Sequence, residues 1–296
     1  MNHHPSDPAP AGEQDGAEQD PQSSSPQDGH PSATPSRNEF VRSLATGLAV
    51  LEAFTSDDPR LTLSDVARRA HLNRATARRM LLTLVELGYA YTDGRTFELT
   101  PQVLSLGHGY WSGRSWHELL QPQLRELSAK LNESCSAAVL TGDDVMYVSR
   151  VHTRRIMRID LGLGSRLPAF ATSMGRVLLA DLPPDQLSRR IHAMARPALT
   201  AHTVTDPETL IGLIQQVGQD GFALVDQELE VGLRSAAVPV RSAAGRTVLA
   251  LNTSISAGAE SPEQTADRVR PALQRCAQQV EAMIRSLGRD AESLTR

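Results

Sequence analysis

Several residue types are scarce in this sequence of 296 residues, and each scarcity excludes a class of protein. Cysteine occurs only as Cys135 and Cys276, which excludes a disulfide framework or a cysteine-based metal cluster and is typical of a reducing compartment. No apolar run reaches the roughly 18 residues that a membrane span needs. The first residues, MNHHPSDPAPAGEQ, lack the basic and apolar regions of a secretory signal. We therefore expect a cytoplasmic protein without a membrane-spanning segment.

Positive charge is present almost entirely as arginine, because Lys130 is the only lysine. Residues 1–36 contain seven prolines and six acids but no Lys or Arg. Such a segment cannot bury enough apolar surface to offset its ordering entropy, so a disordered tail is expected. The tail carries −6 and the whole chain −4, so residues 37–296 carry about +2.

Residues 37–101 have the pattern of a winged helix-turn-helix domain. An amphipathic helix comes first, followed by a short helix for which Ser64 is the expected N-cap. After a three-residue turn, Asn73 is expected to cap a third helix that Gly88 ends. Asp93-Gly94 then predicts a hairpin, which would form the wing.

Five arginines lie between Arg68 and Arg79, and no acid occurs from Val66 to Val85. On the third helix, the stripe formed by Ala77, Leu81, Leu84 and Gly88 is expected to pack inward, which leaves the arginines outside. A basic helix face is often merely solvated, but a helix after a tight turn is where a recognition helix enters the major groove. The predicted DNA contacts are Arg68, Arg69, Arg74, Thr76, Arg78, Arg79 and Arg95. Thr76 at the third helical position and Arg95 at the wing tip have ordinary surface roles as open alternatives.

The remainder of the chain predicts an α+β domain. Residues 102–118 are expected to form a linking helix with glycine interruptions, and residues 119–289 an antiparallel sheet with its helices on one face. Residues 290–296 form a short tail. The expected strands are 135–140, 145–151, 155–164, 221–226, 234–240 and 246–255, and the expected helices are 171–182, 206–221 and a final one capped by Ser261.

Two groups of motifs resemble a known family. SLATGLAVLEAF and LTLSDVARRAHLNRATARRMLLTLVELGYA resemble the DNA-binding domain of IclR-type transcriptional regulators, while RLPAFATSMGRVLLADLP and DQELEVGLRSAAVPV resemble their effector domain. The resemblance spans about residues 38–287. Within the family, the stretch RRIMRIDLGLGSRLPAFATSMGRVLLA looks most like the subgroup that controls the β-ketoadipate pathway. The resemblance implies a GAF-like effector domain, operator DNA as one partner, a homodimer or homotetramer, and an effector such as protocatechuate, 4-hydroxybenzoate or β-ketoadipate. The alternative is a regulator in the same family that senses an unrelated small acid or sugar acid.

The resemblance also implies an effector site. Val225 stands where some relatives that bind small acids have an aspartate, which favours a larger or aromatic ligand. Arg154, Arg155 and Arg158 are candidate cations for a carboxylate, and Arg155 is the one we select. The N-terminus of the helix at Ala171-Thr172-Ser173 is either an anion site or simply capped by one of its hydroxyls. The effector-binding residues carried over from the family motifs are Ser173, Met174, Ser235, Asn252 and Ser254, and Arg155 is added to them as the candidate cation.

Catalytic and metal-binding patterns are absent from the sequence. It contains no GxSxG, HExxH or CxxC motif and no phosphate-binding loop. The acids in DQELE are expected to fix a loop or a dimer contact. We therefore expect no enzyme activity, no cofactor and no metal.

Overall fold

The computed structural model describes residues 40–55, 57–107, 116–153, 161–258 and 260–286. The predicted tails at 1–36 and 290–296 lie outside these ranges. So do Arg154, Arg155, Arg158 and most of the strand expected at 155–164.

The first part of the chain has the predicted helix, helix, helix, hairpin order. The elements are α1 (Arg42–Glu52), β1 (Arg60–Thr62), α2 (Leu63–Arg69), α3 (Arg74–Glu86), β2 (Ala90–Thr92) and β3 (Thr96–Leu99). The three short strands form one antiparallel sheet in the order β1-β3-β2, and β1 was not predicted.

One core holds these elements together. Val50 of α1, Val66 of α2 and Leu81 of α3 are completely buried and pack with Leu61 and Phe97 of the small sheet. Burying side chains of this size stabilises the fold by about 1.5–3 kcal/mol each. Because each element contributes an apolar residue to this core, α3 is held firmly enough to present its opposite face to solvent.

Two local predictions for this part are corrected. Thr62, rather than Ser64, caps α2, because Asp65 lies three residues further on and completes a reciprocal capping box with Thr62. Gly88 ends α3 with a φ of 79° as expected, but it is exposed and does not belong to the inward stripe.

The predicted linking helix differs as well. Pro101–Gly107 is a 3-10 helix, and residues 108–115 lie outside the described ranges. An unpredicted helix, α4 (Trp116–Leu131), then begins and continues far beyond the predicted linker.

The second part is built on a six-stranded antiparallel sheet with the order β6-β5-β4-β9-β8-β7. The expected strands 135–140 and 145–151 are joined by a hairpin turn at Thr141–Asp144, and the expected strands 234–240 and 246–255 by one at Ala243–Gly245. The strands are β4 (Ser134–Thr141), β5 (Asp144–Val151), β6 (Arg166–Pro168), β7 (Ala223–Asp226), β8 (Leu233–Arg241) and β9 (Thr247–Ser256). Residues 161–164, expected to end the strand 155–164, contain a turn instead, and the short strand β6 follows this turn.

Helices cover both faces of this sheet, so the expectation that they lie on one face was wrong. The helices α5 (Ser173–Leu179), α6 (Pro184–Ala193) and α7 (Pro207–Asp220) pack on one face, whereas α4 and α8 (Pro262–Ser286) pack on the other. The missed α4 presents Leu120, Leu124, Leu127 and Leu131 to the sheet, and strands buried on both sides need such a second layer. The missed α6 begins with Pro184, which is tolerated in a first helical turn.

Both cysteines are free and buried, and burial raises the pKa of each thiol to about 12. None of the described helices is both long and apolar enough to cross a membrane.

Candidate functional site

The turn between α2 and α3 is fixed by its own side chains. His71 adopts a φ of 53°, in the left-handed region that makes the turn sharp. The side-chain oxygen of Asn73 accepts a hydrogen bond of 2.8 Å from the backbone N–H of Thr76, which confirms Asn73 as the N-cap of α3. The direction of α3 is therefore set at its first residue.

The outer face of α3 is basic and unpaired. Ala77, Leu81 and Leu84 are buried, while Arg74, Arg78 and Arg79 are exposed. Among the described residues, these three guanidinium groups have no ion-pair or hydrogen-bond partner. Their donors are therefore available to an external anion.

The wing is a tight turn that is held by hydrogen bonds to Asp93 and carries an exposed arginine, Arg95, at its tip. The Asp93 carboxylate accepts hydrogen bonds from the backbone N–H groups of Thr96 (2.7 Å) and Arg95 (2.9 Å), and from the Thr96 hydroxyl (3.0 Å). These bonds, the one from Thr96 N–H foremost, lower the pKa of Asp93 to about 2. The Arg95 side chain projects from this turn and is exposed.

A groove of about 460 Å³ lies between α3 and the wing. Arg74, Arg78 and Arg95 line it together with Thr92 and Ser64. The structure thus brings residues from two separated predicted segments to one concave basic surface. Arg79 is exposed on the same helix but does not line the groove.

The remaining predicted DNA contacts have partners inside the domain. Arg69 donates to the carbonyl oxygen of Ala53 (3.1 Å) and pairs with Asp58, so it ties α2 to the segment after α1. Arg68 lies 3.2 Å from the Asp65 carboxylate and stays largely exposed. Thr76 is half-buried at the third helical position.

A second candidate site lies on the α5 face of the large sheet. Ser173 and Met174 open α5 and are both 1% exposed. The Ser173 hydroxyl has no hydrogen-bond partner among the described residues. A buried hydroxyl without a partner is costly, typically by about 1–3 kcal/mol, so such an atom marks strain or a position where a water, an ion or a ligand binds.

The predicted anion site at the N-terminus of α5 is already occupied by protein. The Thr172 hydroxyl accepts a hydrogen bond from the Gly175 N–H (3.1 Å) and caps the helix. The helix has seven residues, so its dipole is small. Thr172 takes the capping role that the sequence left open, and Ser173 remains free.

The strand residues implied by the family resemblance lie in two neighbouring cross-strand rows. Ser235 of β8 pairs with Ser254 of β9, and Ser254 pairs with Ser134 of β4. In the next row, Ala237, Asn252 and Ser136 occupy the same three strands. Residues opposite one another in antiparallel strands have Cβ atoms about 4.5–5.5 Å apart. Ser235, Asn252 and Ser254 are therefore brought together.

Asn252 is the most conspicuous polar residue in these rows. It is 2% exposed, and its Oδ1 atom has no hydrogen-bond partner among the described residues. Val225 of β7 pairs with Ser235 and is buried, so the far edge of the rows is apolar.

Sequence reasoning missed Ser134, Ser136 and Arg150. Arg150 of β5 pairs with Ser136 and so extends the row of Asn252 to a fourth strand. Its Nε donates to Nδ1 of His152 (3.3 Å), and its guanidinium lies 5.3 Å from the centre of the Tyr147 ring. A bulge in β5 lies between Tyr147 and Arg150 and interrupts the simple alternation of side chains along the strand. The face on which Arg150 lies therefore follows from the strand register and not from the sequence pattern.

The two effector-domain motifs meet in a buried ion pair. Arg176 of α5 donates to the carboxylate of Glu228 (2.6 Å) and to the carbonyl oxygen of Phe170 (3.1 Å). Glu228 also accepts from the backbone N–H of Val204 (3.0 Å). Burial lowers the pKa of Arg176, and Glu228 acts in the opposite direction. The pair fixes α5 to the loop after β7.

Asp226 has a similar structural task, because it pairs with Arg234 at 2.8 Å. The expectation that the acids of DQELE fix a loop is thus confirmed for Asp226 and Glu228. In the described part of the chain, no group of three or more His, Cys, Asp or Glu residues is placed to hold a metal ion.

Comparison with known families identifies both parts. Residues 43–94 match the IclR helix-turn-helix domain, and residues 108–282 match the domain described as "Bacterial transcriptional regulator IclR C-terminal". The second match alone spans more than half of the chain.

Individual proteins agree with these matches. The chain is 44% identical to the Pca regulon regulatory protein of Pseudomonas putida over 236 residues, which cover 79% of this chain and 81% of that protein. It is 36% identical to the p-hydroxybenzoate hydroxylase transcriptional activator of Acinetobacter baylyi over 251 residues, 83% of this chain and 93% of that one.

The chain is also similar to the crystal structure of an IclR homologue from Microbacterium hydrocarbonoxydans complexed with 4-hydroxybenzoate. The superposition has a TM-score of 0.70 at 26% sequence identity and covers 82% of this chain and 99% of the homologue. The α+β architecture with a winged helix-turn-helix domain is confirmed, as is the resemblance drawn from the motifs. The chain belongs to the IclR family of bacterial transcriptional regulators.

Proposed function

We propose that this protein is a cytoplasmic regulator that binds operator DNA as a dimer and controls genes of aromatic-acid catabolism in the β-ketoadipate pathway. Its effector is an aromatic or dicarboxylic acid. The observation that carries the proposal is the buried polar surface beneath α5, where Ser173 Oγ and Asn252 Oδ1 have no hydrogen-bond partner within the described ranges. The relatives' names and the 4-hydroxybenzoate bound by one homologue support the same class of ligand.

DNA binding is assigned to the groove between α3 and the wing. Arg74, Arg78 and Arg79 lie on the recognition helix, and Arg95 lies on the wing. Guanidinium groups bind phosphates and guanine edges with a bidentate geometry. Arg68 is a candidate phosphate contact because it stays exposed, whereas the partners of Arg69 favour a supporting role.

Dimerisation is assigned to the exposed face of α1. Leu44 and Leu48 lie on one face of this helix and are 63% and 50% exposed. Phe40 and the N-cap residue Val41 precede them and are 54% and 59% exposed. A continuous apolar face of this kind usually marks an interface. A second copy would cover it and place two recognition helices on a palindromic operator, as two-fold symmetry requires. A tetramer would need a further contact.

The effector pocket is assigned to the two polar rows and the first turn of α5. Ser173, Ser235, Asn252 and Ser254 supply polar groups, and Met174 with Val225 supplies apolar surface. An apolar site with a few convergent polar groups suits a small organic acid. Arg155 remains a candidate for its carboxylate.

Ligand and operator are proposed to be coupled through two states of the dimer. The effector can shift them only by its difference in affinity for the two, typically about 1–3 kcal/mol. The direction of the effect decides between activation and repression.

A ligand panel tests the effector class. The full chain is heated with protocatechuate, 4-hydroxybenzoate or β-ketoadipate, and in parallel with glyoxylate or a sugar acid. A ligand at 100 times its Kd stabilises the folded protein by about 2.7 kcal/mol. We expect a rise in melting temperature with the first group only. A rise with glyoxylate or the sugar acid alone would support the alternative pathway and overturn the proposed one.

DNA binding is tested by fluorescence anisotropy with a duplex that the full chain enriches from a random library. Affinity should fall steeply with salt, because each phosphate that is neutralised adds about 0.9 to the log–log slope. Salt-independent binding, or no enriched duplex, would contradict the assignment.

A further inference from the structure

Arg150 is a buried cation that has no carboxylate partner among the residues that the structure describes. It is 8% exposed, and its Nη1 atom has no hydrogen-bond partner among the described residues. Arginine stays protonated inside proteins, so this charge is retained when the residue is buried. Removing a guanidinium from water without pairing it is costly.

The groups around Arg150 compensate for this cost only in part. His152 accepts one hydrogen bond, and the face of Tyr147 provides a cation–π contact. None of the ion pairs formed among the described residues includes Arg150. The other buried arginines differ, since Arg176 pairs with Glu228 and Arg234 with Asp226. Of the buried arginines in the described ranges, Arg150 is therefore the one whose guanidinium can receive an external anion.

The register of the sheet places Arg150 on the same face of the sheet as the proposed effector pocket. Arg150 pairs with Ser136, and Ser136 pairs with Asn252 on the other side. Neighbouring strands are about 4.8 Å apart, so Arg150 and Asn252 lie roughly 10 Å from each other across the row. Tyr147, Met174 and Ala237 belong to the apolar cluster on this face of the sheet.

Arg150 and Asn252, at the two ends of this row, suit different functional groups of a ligand. Arg150 offers donors with a positive charge, which suit a carboxylate. The free Oδ1 of Asn252 is an acceptor, which suits a hydroxyl group. The free Ser173 hydroxyl lies on α5, the helix that packs over β8 and β9 at the Asn252 end.

We infer that Arg150 binds the effector's carboxylate and that Asn252 binds a hydroxyl at the opposite end of the same ligand. This inference rests on the proposed function and specifies its ligand as a hydroxylated carboxylic acid with an apolar body. It also fixes the orientation of the ligand, with the carboxylate over β5 and the hydroxyl over β9.

A crossed set of ligands and variants tests both ends. The Kd values of 4-hydroxybenzoate, 4-hydroxybenzamide and benzoate are measured by calorimetry with the full chain. 4-Hydroxybenzamide lacks the negative charge, and benzoate lacks the hydroxyl. The variants are Arg150→Gln and Asn252→Ala, with Arg189→Gln on the exposed side of α6 as a matched control.

Wild-type protein should bind 4-hydroxybenzoate more tightly than either analogue. Arg150→Gln should weaken 4-hydroxybenzoate and benzoate by roughly 10- to 100-fold, as expected for loss of a charged hydrogen bond, but should change 4-hydroxybenzamide little. Asn252→Ala should weaken the two hydroxylated ligands and leave benzoate nearly unchanged. Arg189→Gln should match the wild type with all three.

Melting of the unliganded proteins separates binding from folding. Arg150→Gln should be at least as stable as the wild type, because it removes an unpaired buried charge. A less stable variant that loses all three ligands equally would show a structural role and overturn the inference. Unchanged binding of 4-hydroxybenzoate by Arg150→Gln would also overturn it while leaving the proposed function intact. Failure of wild-type protein to bind any acid of the panel would overturn the proposed function itself.

Discussion

Substitution of Gly175 by alanine tests how tightly α5 is seated over the effector pocket. A Cβ atom at this position would lie 2.0 Å from the carbonyl oxygen and 2.3 Å from the Cα atom of Ala169. Both atoms belong to the backbone of the 3-10 turn Ala169–Ala171, which precedes α5, so no side-chain rotation can relieve the overlap. The helix and the turn must separate by more than 1 Å, as ordinary contacts between carbon and neighbouring atoms are about 3.5 Å.

The expected cost follows from two opposing effects. Overpacking of a buried site costs about 1–3 kcal/mol, occasionally more, and this overlap belongs at the upper end because all residues of α5 are buried. The gain in helix propensity from glycine to alanine offsets about 1 kcal/mol. A net loss of about 2 kcal/mol would lower the melting temperature by roughly 4–8 °C for a domain of this size. Ser173 and Met174 move with α5, so effector binding should weaken too.

Gly212→Ala provides the matched control for this substitution. Gly212 lies in α7, and nothing is within 4 Å of a Cβ added there. This variant should be as stable as the wild type or gain up to about 1 kcal/mol. Thermal unfolding of both variants checks the reasoning. A Gly175→Ala protein with wild-type stability and ligand affinity would refute the close approach of α5 to the turn.

Three other predictions concern single side chains. Arg78→Ala should weaken operator binding and reduce its salt dependence without altering melting or effector affinity, as judged by anisotropy; unchanged affinity would remove Arg78 from the DNA surface. Glu228→Gln should destabilise the effector domain by about 3–5 kcal/mol in urea unfolding, because it leaves Arg176 buried without its counter-charge; a loss below 1 kcal/mol would show that the pair is dispensable. The pKa of Asp93 is lowered from 3.8 to about 2, so its stabilisation of the wing is complete above pH 4 and lost as the pH falls towards 2; an NMR titration that gives an ordinary pKa would contradict the hydrogen bonds at the turn.

Local signals in the sequence predicted the helix-turn-helix domain well. Asn73, Gly88 and Asp93-Gly94 act within a few residues of themselves, so their roles at the ends of α3 and in the wing could be inferred without the fold. The N-cap of α2 was predicted wrongly because both Ser64 and Thr62 are good N-cap residues. Only Thr62 has an acid three residues further on, Asp65, with which it forms the capping box.

The helices α4 and α6 were missed for a related reason. Pro122 lies inside α4, and Pro183 and Pro184 are the N-cap and first residue of α6, so the sequence of both segments was typical of a helix break. The leucines of α4 at 120, 124, 127 and 131 have helical spacing, and that signal was available.

The effector pocket depends on contacts that are distant in sequence. Asn252, Ser254 and Ser235 were selected through the family resemblance, and the pairing of β8 with β9 brings them together. Arg150 was not predictable, because the bulge in β5 shifts its face relative to Tyr147. The burial of its guanidinium without a carboxylate partner among the described residues follows from the packing of the domain rather than from any local pattern.

The most direct test of the central claim is the affinity of the full-length protein for its operator duplex with and without saturating 4-hydroxybenzoate. A coupling of about 1–3 kcal/mol predicts that the Kd changes by roughly 5- to 150-fold. The same Kd in the presence of 4-hydroxybenzoate, protocatechuate and β-ketoadipate would contradict a regulator that senses these acids.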